Sequence, residues 1–241
     1  MKIRARIGGA AVRSCEIVPR HSYAGGMTPP RALRLRREAW GFAVGAALFA
    51  VGSVPWYADA VGLVVTDATF VVGAVFFTLA AFIQLALSGR RPPRRSATRA
   101  DRADWWSAAI QFAGTLLFNV STVAALLSAL GLVAGSQAGW RPDAWGSLAF
   151  LIASALAVVA TTDRDGLWDP HARVWRCTWL NMAGSVFFGI SAVGAWTDPA
   201  TGDELSGLAA DLGTLLGALC FLVAALLSRR EAEEPAAPAD A

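Results

Sequence analysis

Charged side chains are scarce in this chain of 241 residues: Asp, Glu, Lys and Arg together make up 16 %, where a soluble domain carries roughly a quarter. Apolar residues make up 55 %. That balance excludes an ordinary water-soluble globule and points to lipid as the solvent. Cysteine is sparse too. Cys15, Cys177 and Cys220 are an odd set in a tail or inside apolar runs, so neither a disulfide framework nor a thiolate metal site is expected. The two histidines, His21 and His171, stand far apart with no metal-ligand spacing around them. Asp163-Arg164-Asp165-Gly166 begins like a calcium loop but lacks the later ligands and the closing glutamate. Walker loop, dinucleotide glycine fingerprint and nucleophile elbow are all missing, and no polar stretch is long enough for a nucleotide-binding domain. General acid–base or nucleophilic work needs paired groups. With none in view, a non-enzymatic protein without cofactor or resident metal is expected.

What the chain does have is long apolar runs, near 40–58, 65–87, 105–134, 143–161, 177–196 and 206–228. Each meets or approaches the ~20 helical residues that cross ~30 Å of hydrocarbon. Six transmembrane helices are predicted. No cleavable secretory signal precedes the first, which is expected to stay in the mature protein. Short loops rich in arginine stay cytoplasmic. Arg31, Arg34, Arg36 and Arg37 precede the first run, Arg90, Arg91, Arg94, Arg95, Arg99 and Arg102 separate the second from the third, and Arg164, Arg173 and Arg176 the fourth from the fifth. Arg229 and Arg230 follow the sixth, and only Arg141 falls on the other side. Both termini are therefore predicted cytoplasmic. The tryptophans agree, because indole favours the boundary between hydrocarbon and headgroups: Trp40, Trp105, Trp106, Trp168, Trp175 and Trp179 fall near inner boundaries and Trp56, Trp140, Trp145 and Trp196 near outer ones.

Inside every run the same pattern returns: glycine, a small residue next to it, phenylalanine four residues on and a small residue seven on. The glycine–phenylalanine pairs are Gly45/Phe49, Gly73/Phe77, Gly114/Phe118, Gly146/Phe150, Gly184/Phe188 and Gly217/Phe221. Offsets of four and seven share one helix face. Glycine lets backbones approach and a ring fills the gap, so each face is built to lie against another helix. The glycines advance from 45 to 114 to 184 on odd helices and from 73 to 146 to 217 on even ones. An interval near 70 residues marks a two-helix hairpin used three times. The fold class expected is an all-α polytopic bundle of six helices built from three hairpin repeats. Its divisions are a disordered basic tail over 1–39, hairpin 1 over 40–87, an Arg/Pro-rich linker over 88–104, hairpin 2 over 105–161, a cytoplasmic loop over 162–176, hairpin 3 over 177–228 and a disordered tail over 229–241. Met27, just ahead of Thr28-Pro29-Pro30, is a candidate true start. Antiparallel neighbours place each ring opposite the partner's glycine notch.

The run Gly45-Ala-Ala-Leu-Phe-Ala-Val-Gly-Ser53, followed by Gly73-Ala-Val-Phe-Phe77, resembles the YrhK-like domain, a small bacterial membrane module of two helices with Gly-x-x-x-Phe repeats. The resemblance covers hairpin 1 best and extends to the other two as diverged copies. It implies a bacterial membrane protein of no established activity and supplies no catalytic or binding residues.

Polar residues within membrane spans are costly and mark candidates. Gln111, Asn119 and Asn181 are the candidate polar lining. Read structurally they hydrogen-bond between helices, worth about 0.6–2 kcal/mol each; read functionally they line a path for a small neutral solute. Asp67, Asp143 and Asp211 stand near the outer ends of even helices, as caps that meet the positive end of the helix dipole or as carboxylates at an outer mouth. Pro142 before Asp143 fits a helix start. The function expected is a structural, interaction or lipid-related role in the bacterial cytoplasmic membrane. The alternative is a transporter or channel for a small neutral solute. Anionic lipids, rather than nucleic acid, are the expected partners of the arginines, with room for a homo-oligomer or a membrane-protein partner.

Overall fold

The structure, a computed structural model, describes residues 29–89, 91–133, 137–198 and 200–233. Its helices are α1 (Pro29–Gly52), α2 (Pro55–Val61), α3 (Leu63–Ser88), α4 (Arg99–Ala129), α5 (Gln137–Asp165), α6 (Arg173–Gly194) and α7 (Gly207–Glu233). The fold is all-α; among the described residues extended pairing is limited to the bridge Thr197–Glu204 in the α6–α7 connection. Five helices, α3 to α7, are long and apolar enough to cross a membrane, and α1 with α2 makes a sixth candidate bent by 79°. The bend follows from Pro55. The residue before proline is driven out of the helical region, and Val54 is extended at φ −88° and ψ 118°.

Burial is inverted relative to a protein in water. Among the described residues the buried hydrophobic side chains are alanines and phenylalanines alone, whereas Val72, Leu79, Val120, Ile152 and Val193 are exposed along the spans. Large aliphatic groups facing water would forfeit about 25 cal/mol per Å²; facing acyl chains they forfeit nothing, and small residues inside let the helices close up. Together with the spans, this makes the chain a multi-pass membrane protein.

The six long helices close into a ring: α1 packs on α3, α3 on α4, α4 on α5, α5 on α6, α6 on α7, and α7 back on α1. The phenylalanines of the recurring pattern fill its centre. Phe49, Phe118 and Phe188 form one triangle, with ring centroids 5.8–6.4 Å apart. Phe77, Phe150 and Phe221 form a second, with separations of 5.6–6.5 Å. The two are joined within helix pairs by Phe49–Phe77, Phe118–Phe150 and Phe188–Phe221 at 5.4, 5.1 and 5.7 Å. Edge and tilted ring geometries of this kind are favourable beyond the area they bury.

Each ring also covers the partner's glycine. A Cβ added at Gly73 would lie 2.8 Å from the Phe49 ring, at Gly114 2.9 Å from Phe150, and at Gly184 2.9 Å from Phe221. The reciprocal approaches, Gly45 to Phe77, Gly146 to Phe118 and Gly217 to Phe188, are 3.0, 3.3 and 3.1 Å. Hydroxyls tie neighbours together between these notches. Ser154 pairs with Ser185 at 2.8 Å, Thr161 with Thr178 at 3.0 Å and Ser191 with Thr214 at 2.6 Å.

Several boundaries differ from those expected. The tail over 1–39 gives way to helix at Pro29: proline suits a helix start, and Ala39 is already buried while Arg34, Arg36 and Arg37 face outward. Residues 1–28, with Cys15, His21 and Met27, and the tail beyond 233 lie outside the described residues. At the other terminus α7 continues to Glu233, inside the tail expected over 229–241. The linker over 88–104 turns helical at Arg99, where the Thr98 Oγ1 accepts from the Asp101 N–H at 3.1 Å and caps α4. The loop over 162–176 shortens because α5 runs to Asp165 and α6 starts at Arg173. Arg164 there bridges Asp101 and Asp104 across the α4–α5 end.

Candidate functional site

Below the phenylalanine layers, at the end of the ring that carries the start of α1 and the end of α7, lies a cavity of about 300 Å³. Glu38 from α1, Gln84 from α3, Gln111 from α4, Asn181 from α6 and Ser228 from α7 supply its polar wall. Phe42 and Phe221 face it from the apolar side, and Phe221 belongs to the central layers. The cavity therefore stops where the rings begin.

Helical phase explains this convergence. Gln111 and Asn181 each stand three residues before a motif glycine, on the face turned to the ring axis. Gln84 and Ser228 each stand seven residues beyond a central phenylalanine, Phe77 and Phe221, again on that face. Glu38 precedes Gly45 by seven. Extending the pattern by one heptad in each direction therefore finds the residues that reading the spans alone missed. Glu38 was hidden in the arginine-rich run ahead of the first span.

The wall is poorly satisfied by the protein itself. Among the described residues no ion pair or hydrogen bond reaches the Glu38 carboxyl, and the side-chain amides of Gln111 and Asn181 make none. The Gln84 Oε1 is buried without a hydrogen-bond partner. The Ser228 hydroxyl donates to the Cys177 Sγ at 3.5 Å, leaving its lone pairs to the cavity. Arg229, the next residue, is held over the Trp40 ring, 5.0 Å from its centroid.

Two of the three expected lining residues, Gln111 and Asn181, thus meet in one cavity. Asn119 lies elsewhere. Its amide donates to the Thr115 carbonyl at 2.8 Å, the Ala74 carbonyl at 3.5 Å and the Thr78 hydroxyl, joining α4 to α3. The aspartates do not act as caps. None lies in the first turn of its helix: α3, α5 and α7 begin at Leu63, Gln137 and Gly207, ahead of Asp67, Asp143 and Asp211. Pro142 is inside α5 rather than at its start. The cap of α7 is Ser206, whose Oγ accepts from the Ala209 N–H at 3.2 Å. Asp67 and Asp143 are half-buried and Asp211 is exposed. None of them lines the cavity, and no cluster of His, Cys, Asp and Glu suited to a metal ion occurs among the described residues.

No family model, curated protein or solved structure matches the chain.

Proposed function

We propose that the protein is a non-enzymatic component of the bacterial cytoplasmic membrane, assembled from three copies of a two-helix hairpin, with both termini in the cytoplasm and a structural, interaction or lipid-related role. One observation carries this reading: six aromatic rings in two layers close the centre of the helix ring. A path for solute along the axis needs a continuous polar lining, and the six rings that meet on the axis interrupt it. The hairpin repeat is supported by the glycine–ring exchange that recurs in α1/α3, α4/α5 and α6/α7. Membership of the YrhK-like family rests on the Gly-x-x-x-Phe runs alone. The arginines at the terminal end suit contact with anionic headgroups, and the cytoplasmic placement of that end rests on the same arginines.

The second reading, a carrier or channel for a small neutral solute, is favoured by the meeting of Gln111 and Asn181 in one cavity. Uptake of urea and glycerol into vesicles reconstituted with the full chain separates the two. Rates equal to those of protein-free vesicles are expected. Uptake that vanishes with Asn181→Leu would establish the carrier reading instead.

A further inference from the structure

We propose that the cavity walled by Glu38, Gln84, Gln111 and Asn181 is a binding site for a small organic cation, an ammonium group carried on a short apolar chain. The proposal goes beyond the closed-centre reading and does not depend on it, since a blind pocket and a pathway can each hold a ligand.

The wall selects charge. Among the described residues Glu38 is the sole ionisable group on the cavity wall, and no protein cation or donor there compensates it. Glu38 is half-buried, and a carboxylate drawn out of water without a partner carries a cost that a bound cation would offset. The Gln84 side chain lines the cavity and its Oε1 has no donor among the described residues, and the Ser228 oxygen adds another acceptor. An ammonium group, with up to three donors and one positive charge, matches that set. A multivalent metal ion does not, because it draws on several anionic ligands and the wall provides one.

The wall also selects shape. About 300 Å³ is the lower end of the range for ligand pockets and much more than a bare ion fills. Phe42 and Phe221 give the cavity an aromatic side against which a short alkyl chain or the ammonium face itself packs favourably. Gln111 and Asn181 offer both donors and acceptors, so a ligand that also carries a hydroxyl or carbonyl is accommodated.

The test uses the full chain in nanodiscs of uncharged phosphatidylcholine, with n-butylammonium chloride as the probe in calorimetric titration and empty nanodiscs subtracted. Saturable binding is expected for butylammonium, none for n-butanol, and Glu38→Gln should weaken it about tenfold or more. Gln84→Leu, which removes the unpartnered amide and keeps the carboxylate, should weaken it several-fold and serves if Glu38→Gln fails to fold. No saturable binding, equal binding by Glu38→Gln, or equal binding of butanol would overturn the proposal. Displacement of butylammonium by an equal concentration of potassium chloride would overturn it too, in favour of an inorganic cation site. Each outcome is independent of the solute-uptake result.

Discussion

Gly184 of α6 lies so close beneath Phe221 of α7 that a methyl group on its Cα would meet the ring at 2.9 Å, while Gly217 of α7 stands in the same relation to Phe188 of α6 at 3.1 Å. The two helices exchange a notch for a ring. Their backbones touch at the same place, since the Cβ of either glycine would lie 3.0 Å from the other's carbonyl. Without water to drive association, such close packing is what holds membrane helices together.

Glycine-to-alanine substitutions should therefore divide sharply by position. At Gly213 the new Cβ would sit 2.7 Å from the Ser191 nitrogen and 2.8 Å from the Phe187 carbonyl, backbone atoms that cannot step aside. Gly213→Ala should cost about 1–3 kcal/mol. At Gly189 nothing lies within 4 Å, and Gly189→Ala should be neutral or stabilising by up to about 1 kcal/mol. Thermal unfolding in one detergent, both variants side by side, reads the difference.

The central rings should be the costliest residues to truncate. Phe150 is 2 % exposed and touches Phe77, Phe118, Phe188 and Phe221. Phe150→Ala should lose about 3–5 kcal/mol, and Phe150→Leu much less. Exposed Phe82, 57 % accessible on the outer face, should tolerate alanine. A denaturation series on the three variants checks the order.

Two buried serines should respond in opposite senses. The Ser147 Oγ is buried with no hydrogen-bond partner, so Ser147→Ala removes an unsatisfied group worth about 1–3 kcal/mol and should raise the melting temperature. Ser185 pairs with Ser154 at 2.8 Å, and Ser185→Ala should lower it by an amount corresponding to about 0.6–1.7 kcal/mol. A fall with Ser147→Ala would show that the α4–α5 interface is arranged differently.

Much of the fold was legible because it rests on local shape. Glycine and phenylalanine four residues apart mark the contact face of a helix, and six such faces of alternating direction leave few ways to assemble. The meeting of Gln111 and Asn181 was legible for the same reason, since both keep one offset from the glycine. Glu38 was not, because a carboxylate among Arg34, Arg36 and Arg37 reads as part of a solvated run until the helix is seen to carry it inside the ring. The aspartates misled in the other direction. Their position suggests capping only if the helices begin beside them, and α3, α5 and α7 begin earlier. Asn119 follows Phe118 directly and so points about 100° round the helix from that ring, toward Thr78.

Topology provides a separate check. Reporter fusions after residue 96 and after residue 170 should both report the cytoplasm, and a fusion after residue 202 the other side. A reversed result would invert the membrane and place the cavity at the outer surface.

The closed centre itself is tested most directly by cysteine labelling from each side of the membrane, in a chain whose Cys15, Cys177 and Cys220 have been replaced by alanine. With Asn181→Cys in the cavity, a membrane-impermeant thiol reagent should react from the side that holds the termini and not from the other. Labelling from both sides would mean that water reaches Asn181 through the phenylalanine layers, and that the ring of helices is a conduit rather than a closed bundle.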